Sequence, residues 1–301
     1  DAGWDVEISS IHPTLPEDVL LAAVSDVDAA IAHNADQWTA KVIQAAPNLK
    51  VIARTGVGFE NVDINAARRH GVVVATTPGS NSEAVADLTF AMMLALSRKL
   101  LANDALLKQG IWDPILGNDL HFKTVGILGL GRVGRAVARR ATAFRMDVLG
   151  HDPFVHPQEV IEAKVRAVAP DELYRASDFV TLHLPSTPET TGMINAHALG
   201  LMKTSAFILN TARGSLIDED ALGEALRSGR IAGAGLDVFS TEPASSSPLA
   251  RLPNVLASPH VAGNTEETMQ LTGAMAVDNA LAVIDGSWPD EVVVNDVYSA
   301  P

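Results

Sequence analysis

The sequence predicts an α/β fold with two parallel-sheet domains, and three observations support this prediction. Short apolar runs of strand length alternate with helical patterns along most of the 301 residues. One of these runs leads through a glycine-rich turn into a helix. Polar residues directly follow several other runs, at the edge where open parallel sheets bind ligands. A chain of this length is also long enough for two domains.

Residues 1–78 show the first alternation of strands and helices. The predicted strands are residues 4–8, 29–32, 51–53 and 72–75. The predicted helices are residues 16–23, 39–46 and 64–70. Gly71 follows the last of these helices, as glycine often does at a helix C-terminus. Strands that alternate with helices in this way form parallel sheets.

A helical pattern rich in Ala, Leu and Met covers residues 84–109 and ends at Gly110. Ser80 and Glu83 have the spacing of a capping box at its start. A single helix over this range would be about 39 Å long, enough to connect two domains. Residues 111–122 lack a clear period, and we interpret them as an irregular arm.

A glycine motif stands between a predicted strand at 125–128 and a predicted helix at 135–144. Gly129 permits a tight turn, Gly131 lets the backbone approach a pyrophosphate, and Gly134 lets the helix pack closely on the strand. The N-terminus of the helix offers free N–H groups to the phosphates. This context predicts a dinucleotide-binding site, because a glycine turn alone rarely has both flanking elements.

Asp152 extends the same unit. It follows a predicted strand at 147–150 and lies eighteen positions after Gly134. An acidic residue at this point accepts hydrogen bonds from the adenosine ribose, and its charge disfavours the 2′-phosphate of NADP. The sequence therefore predicts NAD as the cofactor.

The alternation continues to the end of the chain. Further helices are predicted at residues 171–177, 218–228 and 265–285. Further strands are predicted at residues 179–183, 206–210, 233–236 and 255–257.

Composition narrows the class of protein. The net charge of −14 argues against a nucleic-acid partner, and no apolar run has the length of a membrane helix. Without cysteine the chain has no disulfide, thiolate metal site or cysteine nucleophile. We expect no metal, and we expect a cytoplasmic protein without a membrane partner.

Three residues that follow predicted strands suit the interconversion of a hydroxy acid and a keto acid. Arg213 offers a charged fork for a carboxylate or carbonyl oxygen, and His260 exchanges a proton near neutral pH. Glu242 would hold the ring of His260, and NAD would carry the hydride. Spacing alone leaves open that Arg213 is a surface residue, Glu242 a turn residue and His260 a structural histidine. His183 is the next candidate among the histidines.

Taken together, the motifs resemble the D-isomer-specific 2-hydroxyacid dehydrogenases, in the branch similar to phosphoglycerate dehydrogenase. The segments that carry the resemblance are residues 54–63, 81–82, 129–134, 210–214, 235–239, 242–243 and 258–260. The resemblance implies two Rossmann-like or flavodoxin-like α/β domains. Their bounds would be residues 1–78 for the first part of the substrate domain, 79–264 for the NAD-binding Rossmann domain, and 265–301 for the C-terminal return to the substrate domain.

The resemblance also implies roles for particular residues. Arg213, Glu242 and His260 would be catalytic, on a small 2-keto or 2-hydroxy acid. The backbone amides of Val57 and Gly58 would hold its carboxylate. The cofactor would contact the three motif glycines, Asp152 at the ribose, and the residues Arg132, Val133, Thr211, Ala212 and Asp237. Members of the family are usually homodimers paired through the cofactor domains, and we expect the same here.

Two alternatives remain open. The specific enzyme could be 3-phosphoglycerate dehydrogenase, although His33 stands where that enzyme places a phosphate-binding arginine. The chain could instead be a dinucleotide-sensing binding protein of the corepressor type, which would resemble the enzymes even at Arg213, Glu242 and His260. Formate dehydrogenase is less favoured, because it carries Gln in place of Glu242. From the family we also expect a strand and a helix before Asp1. As a departure from phosphoglycerate dehydrogenase, we expect no room after Pro301 for the regulatory extensions of that enzyme.

Overall fold

The computed structural model of the chain describes residues 3–8, 17–33, 36–287 and 290–295. It divides into two compact units. Unit 1 contains the described residues up to Asn81 and those from Thr265 onward, and unit 2 runs from Ser82 to Asn264.

Helices and strands alternate through both units. The helices are α1 (Glu17–Ala23), α2 (Ala40–Gln44), α3 (Ile64–Arg69), α4 (Ser82–Ser97), α5 (Leu100–Lys108), α6 (Arg132–Ala143), α7 (Pro157–Glu162), α8 (Pro170–Ala176), α9 (Ala196–Leu201), α10 (Glu219–Arg227) and α11 (Glu266–Ile284). The strands are β1 (Ala29–Ala32), β2 (Val51–Arg54), β3 (Val73–Ala75), β4 (Thr124–Leu128), β5 (Asp147–His151), β6 (Arg166–Ala167), β7 (Phe179–Leu182), β8 (Phe207–Asn210), β9 (Gly233–Leu236) and β10 (Val255–Ala257). The predicted α/β fold with parallel sheets is confirmed.

Several helix ends follow from local sequence. The side chains of Asp63, Asp218 and Thr265 accept hydrogen bonds from N–H groups in the first turns of α3, α10 and α11. These caps satisfy N–H groups that have no partner inside the helix. Gly71 and Gly286 follow α3 and α11 with positive φ angles of 69° and 73°, which glycine adopts without a steric penalty.

Unit 1 is built on a parallel sheet in the order β1-β2-β3. Alternate side chains of a strand point to opposite faces, and β2 shows this clearly. Ile52 packs with apolar residues of α1, α2 and α3, whereas Val51 and Ala53 pack with Ala276 and Ala280 of α11. The sheet is therefore covered on both faces, which explains why its strands are apolar apart from Arg54 at the end of β2.

Unit 2 contains a parallel sheet in the order β10-β9-β8-β7-β4-β5-β6. The chain runs outward from β4 to β6, returns to β7 on the other side of β4, and continues outward to β10. The strand order thus reverses between β4 and β7, and such a switch point opens a crevice at the carboxyl ends of the strands. Helices α8, α9 and α10 supply one apolar cluster of this unit, and α4, α6 and α7 supply residues to another.

Two elements predicted in the first 78 residues, the strand at 4–8 and the helix at 16–23, differ from the described structure or lie partly outside it. The predicted strand at residues 4–8 is wrong, because these residues pair with no strand among the described residues and Trp4, Val6 and Ile8 are exposed. Pro16, at the start of the predicted first helix, lies outside the described residues.

The predicted single helix over residues 84–109 is also wrong, because α4 and α5 are separate helices. Lys99 lies between them with a positive φ of 52°. The carbonyl of Ser97 accepts a hydrogen bond from the N–H of Asn118, at 2.8 Å, and the Ser97 hydroxyl donates to the Asn118 carbonyl. Residues 111–119 are irregular, as predicted, and their return to Ser97 takes the carbonyl that a continuous helix would use.

The predicted capping box is not formed. Helix α4 begins at Ser82, and the Ser80 hydroxyl donates to the carbonyl of Thr77 instead of capping the helix. Glu83 forms ion pairs with Arg139 and Arg140 of α6. The short elements α7, β6 and α9 were not predicted from the sequence.

Candidate active site

The glycine turn between β4 and α6 has the geometry that a dinucleotide requires. A Cβ at Gly129 would overlap the carbonyl of His183, and a Cβ at Gly134 would overlap the carbonyl of Gly129. Gly131 is the N-cap of α6, and no described atom lies within 4 Å of the position its Cβ would take. The turn therefore packs tightly on its inner side and leaves open space before the helix N-terminus, where a pyrophosphate binds.

Asp152 lies beside this turn because β4 and β5 are paired. The residue before it, His151, is in register with Leu128. The Asp152 carboxylate accepts hydrogen bonds from the N–H groups of Leu130, at 2.8 Å, and Phe154, at 2.9 Å. A carboxylate can accept about four hydrogen bonds, so acceptor sites remain for ribose hydroxyls. These residues fit a dinucleotide, with an anion-binding helix end at one side and an acceptor at the other.

The other predicted cofactor residues lie on the same unit. Arg132 and Val133 open α6, and Arg132 is exposed. Thr211 is buried, with its hydroxyl 3.2 Å from that of Thr89 on α4. Ala212 donates its N–H to the side chain of Asn210 at 3.1 Å. Their contacts with a cofactor stay predictions.

The three predicted catalytic residues follow three neighbouring strands. Arg213 follows β8, Glu242 follows β9, and His260 follows β10. Since these strands are adjacent in the order β10-β9-β8, the structure brings the three residues to one edge of the sheet.

His260 and Glu242 form a direct pair. The Nδ1 atom of His260 lies 2.8 Å from Oε2 of Glu242, and both side chains are partly exposed. The other Glu242 oxygen accepts the N–H of Phe239 at 3.1 Å, which fixes the carboxylate. Because the carboxylate accepts a hydrogen bond, Nδ1 carries the hydrogen, and Nε2 is the nitrogen left to exchange a proton.

Asp237 fixes the loop that carries His260. Its buried carboxylate accepts hydrogen bonds from the Ser258 hydroxyl at 2.5 Å and from the N–H groups of Val261 and Ala262 at 2.9 and 2.8 Å. Its backbone carbonyl accepts the N–H of His260, which has a positive φ of 53°. Such a conformation is costly for a residue other than glycine, so the surrounding hydrogen bonds must impose it. The contact of Asp237 with the nicotinamide stays a prediction, and its role in holding this loop was not predicted from the sequence.

Asn210 fixes the backbone of Arg213 in a similar way. The buried amide accepts the N–H of Ala212 and donates to the carbonyl of Arg213 at 2.8 Å. The Arg213 guanidinium donates to the Ala212 carbonyl at 2.8 Å and is partly exposed. Sequence reasoning missed Asn210, whose only signal was its position as the single polar residue at the end of an apolar strand.

His183, the next histidine candidate, does not suit proton transfer. Its Nε2 atom lies 2.9 Å from the Thr181 hydroxyl, and its buried Nδ1 atom has no hydrogen-bond partner among the described residues. Burial lowers the pKa of His183 to about 3. The ring is therefore neutral across the physiological range and cannot supply a proton there.

We predict that His183 makes unfolding easier as the pH falls. Between about pH 6.5 and the lowered pKa, the unfolded chain binds a proton at this side chain and the folded chain does not. Stability should thus be retained above about pH 6.5 and lost as the pH falls below it. In urea denaturation, His183→Gln should reduce the stability difference between about pH 7 and 5 by about 2 kcal/mol. The same change at the exposed His70 should leave that difference unaltered, and an equal effect at both positions would contradict the assignment.

Val57 and Gly58, the predicted carboxylate-binding residues, belong to unit 1. They lie in the loop that follows β2, with Val57 exposed. Arg54, the last residue of β2, is buried and donates to the carbonyl of Gly58. Sequence reasoning gave Arg54 no role.

The described parts of the chain contain neither a candidate membrane helix nor a candidate metal-binding cluster. None of the helices there combines the length and apolar character needed to span a bilayer. No group of three or more histidine, aspartate and glutamate side chains there is arranged to hold a metal ion.

Comparison with known proteins identifies the relatives of this chain. The family model for the D-isomer specific 2-hydroxyacid dehydrogenase NAD-binding domain matches residues 90–262. The D-3-phosphoglycerate dehydrogenase of Mycobacterium leprae is 42% identical over 279 residues, which cover 92% of this chain and 53% of that protein. The chain thus spans about half the length of the phosphoglycerate dehydrogenases that it matches.

Two further relatives match over most of their length. The glyoxylate reductase of Thermococcus litoralis is 37% identical, over 99% of this chain and 92% of that protein. The solved D-lactate dehydrogenase of Aquifex aeolicus, complexed with NAD and lactic acid, is 30% identical with a TM-score of 0.83. That match covers 93% of this chain and 89% of the other.

Proposed function

The chain belongs to the D-isomer-specific 2-hydroxyacid dehydrogenase family, and we propose that it is an NAD-dependent oxidoreductase that interconverts a D-2-hydroxy acid and its 2-keto acid. The observation that carries this proposal is the His260–Glu242 pair at 2.8 Å. It stands at the sheet edge that also carries Arg213, in the same sheet as β4, which leads into the glycine turn. The glyoxylate reductase and D-lactate dehydrogenase named above support this reaction class.

We assign a separate role in the reaction to each of Arg213, His260 and Glu242. Arg213 polarises the carbonyl of the keto acid and stabilises the negative charge that develops on its oxygen. His260 donates a proton from Nε2 to that oxygen during reduction, and takes it back during oxidation. Glu242 holds the ring and stabilises the imidazolium. NAD, when bound, accepts the hydride or, in its reduced form, supplies it.

We assign unit 2 to the cofactor and unit 1 to substrate binding. The substrate carboxylate is held by the backbone amides of Val57 and Gly58. In unit 2 the pyrophosphate binds the glycine turn, with Arg132 supplying positive charge, and Thr211, Ala212 and Asp237 serve the nicotinamide. The ribose binds Asp152, whose carboxylate lies beside the turn.

A panel of 2-keto acids with NADH, followed at the absorbance of the reduced cofactor, tests the function. We expect stoichiometric NADH oxidation with at least one acid, and a D-2-hydroxy acid as the product. Binding of NADH without turnover of any acid would instead favour a corepressor-type binding protein. The L-isomer as product would also contradict the proposal.

The substrate is proposed to be a 2-keto acid without a phosphate group. His33 stands where the phosphoglycerate-dehydrogenase-like branch is expected to place an arginine. A histidine lacks the bidentate fork with which arginine binds phosphate. The panel therefore includes 3-phosphohydroxypyruvate, and the highest kcat/KM with that compound would refute this choice.

We predict a preference for NADH over NADPH that depends on Asp152. Asp152→Ser removes the charge that repels a 2′-phosphate, together with the acceptor of the Leu130 N–H. NADH should bind more weakly, and the ratio of kcat/KM values for the two cofactors should approach one. Asp147→Ser is the matched control, because Asp147 opens the same strand at its other end. Equal or better wild-type efficiency with NADPH would overturn the assignment.

We also propose that the protein is a cytoplasmic homodimer paired through unit 2. This unit exposes a set of large apolar side chains on α5 and on the arm that follows it. They are Leu100, Leu101, Leu107, Trp112 (89% exposed), Leu116 (89%) and Phe122 (78%). Exposed apolar surface of this kind usually marks an interface. Sedimentation at micromolar concentration should give a dimer for the wild type and a smaller species for Trp112→Glu with Leu116→Glu, and a wild-type monomer would refute it.

A further inference from the structure

Arg54 occupies an unusual position at the end of β2. Arginine is almost never fully buried unless it is paired, yet this side chain is only 2% exposed. Its Nη1 atom donates to the carbonyl of Ala32 at 2.9 Å. Its Nε and Nη2 atoms both donate to the carbonyl of Gly58, at 3.2 and 3.1 Å. The guanidinium thus joins the end of β1 to the loop after β2.

In the loop after β2, two carbonyls accept hydrogen bonds from unit 1 and two amides have no backbone acceptor among the described residues. The Gly56 carbonyl accepts the N–H of Thr77 at 3.1 Å, and the Gly58 carbonyl accepts Arg54. Among the described residues, no acceptor receives the N–H groups of Val57 and Gly58. Because backbone N–H groups are strong donors, two such groups side by side form a site for a carboxylate.

We propose that Arg54 is a positioning residue that orients the amides of Val57 and Gly58 toward the carboxylate of the substrate. The inference rests on the proposed function and deepens it. Because two of its nitrogen atoms donate hydrogen bonds to the Gly58 carbonyl, Arg54 fixes the orientation of that peptide group in the loop. Its positive charge, held at the Gly58 carbonyl, adds to the attraction of this loop for an anion.

The charge state of Arg54 is consistent with this role. Burial lowers the pKa of Arg54 to about 10, and the negative charges of Asp36 and Glu60 oppose that effect. The guanidinium therefore remains charged at physiological pH. In the low dielectric of a buried site, this charge acts on a nearby anion more strongly than an exposed charge does.

The test compares Arg54→Met and Arg54→Lys with a matched control, Arg68→Met. Arg68 lies in the same unit and also donates to a backbone carbonyl, that of Asn295, at 2.9 Å. For the best keto acid of the panel, Arg54→Met should raise KM by about 10²-fold, the scale of a lost charge-assisted contact. The kcat value and the KM for NADH should change little. Arg54→Lys retains the charge but not the fork, so its effect should be intermediate, at about tenfold.

A purely structural role predicts a different result. Loss of folded protein would lower the apparent kcat and leave KM unchanged in the remaining active fraction, and this outcome would overturn the proposal. If Arg54→Met does not fold, as judged by circular dichroism, Arg54→Lys provides the comparison. The inhibition constant of oxamate, which carries a carboxylate, should rise in parallel with KM, and an unchanged constant would contradict the proposed role.

Failure of the proposed function is recognised separately. If the wild type reduces no 2-keto acid, that function is wrong, and the binding of oxamate by calorimetry in the presence of NADH then tests Arg54 directly. Weaker binding in Arg54→Lys than in Arg68→Met would still support the role in anion binding. Equal binding, or no binding by the wild type, would refute it.

Discussion

His260→Ala should lower kcat for keto acid reduction by about 10² or more, the usual scale for a lost general acid. The imidazole is the group that donates a proton to the developing alkoxide, and alanine leaves only water for this task. The cofactor contacts proposed for unit 2 do not include this ring, so the Kd for NADH should change little. The measurement is single-turnover reduction at saturating substrate, together with NADH titration by fluorescence.

His197→Ala is the control for this experiment. His197 lies on α9 with its Nε2 atom 3.5 Å from a carboxylate oxygen of Asp171, so it is also a histidine beside an acidic group. It is exposed and has no part in the proposed site, and its replacement should leave kcat unchanged. Full activity of His260→Ala would remove the mechanism proposed here.

Arg213→Lys should lower kcat and also raise KM for the keto acid. Lysine keeps a positive charge but loses the planar fork that can contact a carbonyl and a carboxylate oxygen together. Loss of one preoriented donor to a developing oxyanion costs about 10² to 10³ in kcat. Steady-state kinetics should therefore show a loss of at least that size in kcat/KM.

Arg166→Lys offers a matched control for Arg213→Lys. Arg166 lies on β6, the edge strand that is far in strand order from β8. It forms an exposed ion pair with Glu172 of α8. Exposed ion pairs contribute little to stability, so this variant should behave as the wild type. If Arg213→Lys retained wild-type kcat and KM, Arg213 would be a surface residue, as its spacing alone allowed.

The parts of the fold that could be predicted from the sequence are those fixed by short-range patterns. Apolar runs of strand length, helix caps such as Asp218 and terminal glycines such as Gly71 act within a few residues. The glycine turn belongs to the same class, because the conformation of Gly129 and the close packing of Gly134 follow from the absence of a Cβ. Strand adjacency then explains why Asp152 lies beside the turn.

Two of the errors depend on residues distant in sequence. The helical pattern at 84–109 is locally sound, but the N–H of Asn118 takes the carbonyl of Ser97 and ends α4. Residues 4–8 have an apolar alternation, yet a strand also needs a partner, and the described residues supply none. A local pattern detects neither the hydrogen bond from Asn118 nor the lack of a partner strand.

The candidate site shows the same division. The candidate catalytic residues were predicted from strand ends and from the family motifs, and the structure places Arg213, Glu242 and His260 after neighbouring strands. The residues that hold them were not predicted. Asn210 and Asp237 are polar residues whose partners become evident only when the loops are folded around them.

The pH dependence of kcat/KM in both directions tests the central claim most directly, namely that the His260–Glu242 pair transfers the proton. Reduction requires protonated His260 and oxidation requires the neutral ring, so reduction should weaken and oxidation strengthen as the pH rises. In Glu242→Gln the carboxylate that holds the ring through Nδ1 is lost, so kcat/KM for reduction should fall while the Kd for NADH changes little. A deuterated cofactor establishes that hydride transfer limits the rate. Profiles that do not depend on pH, or a kcat/KM for reduction that is unchanged in Glu242→Gln, would contradict the account.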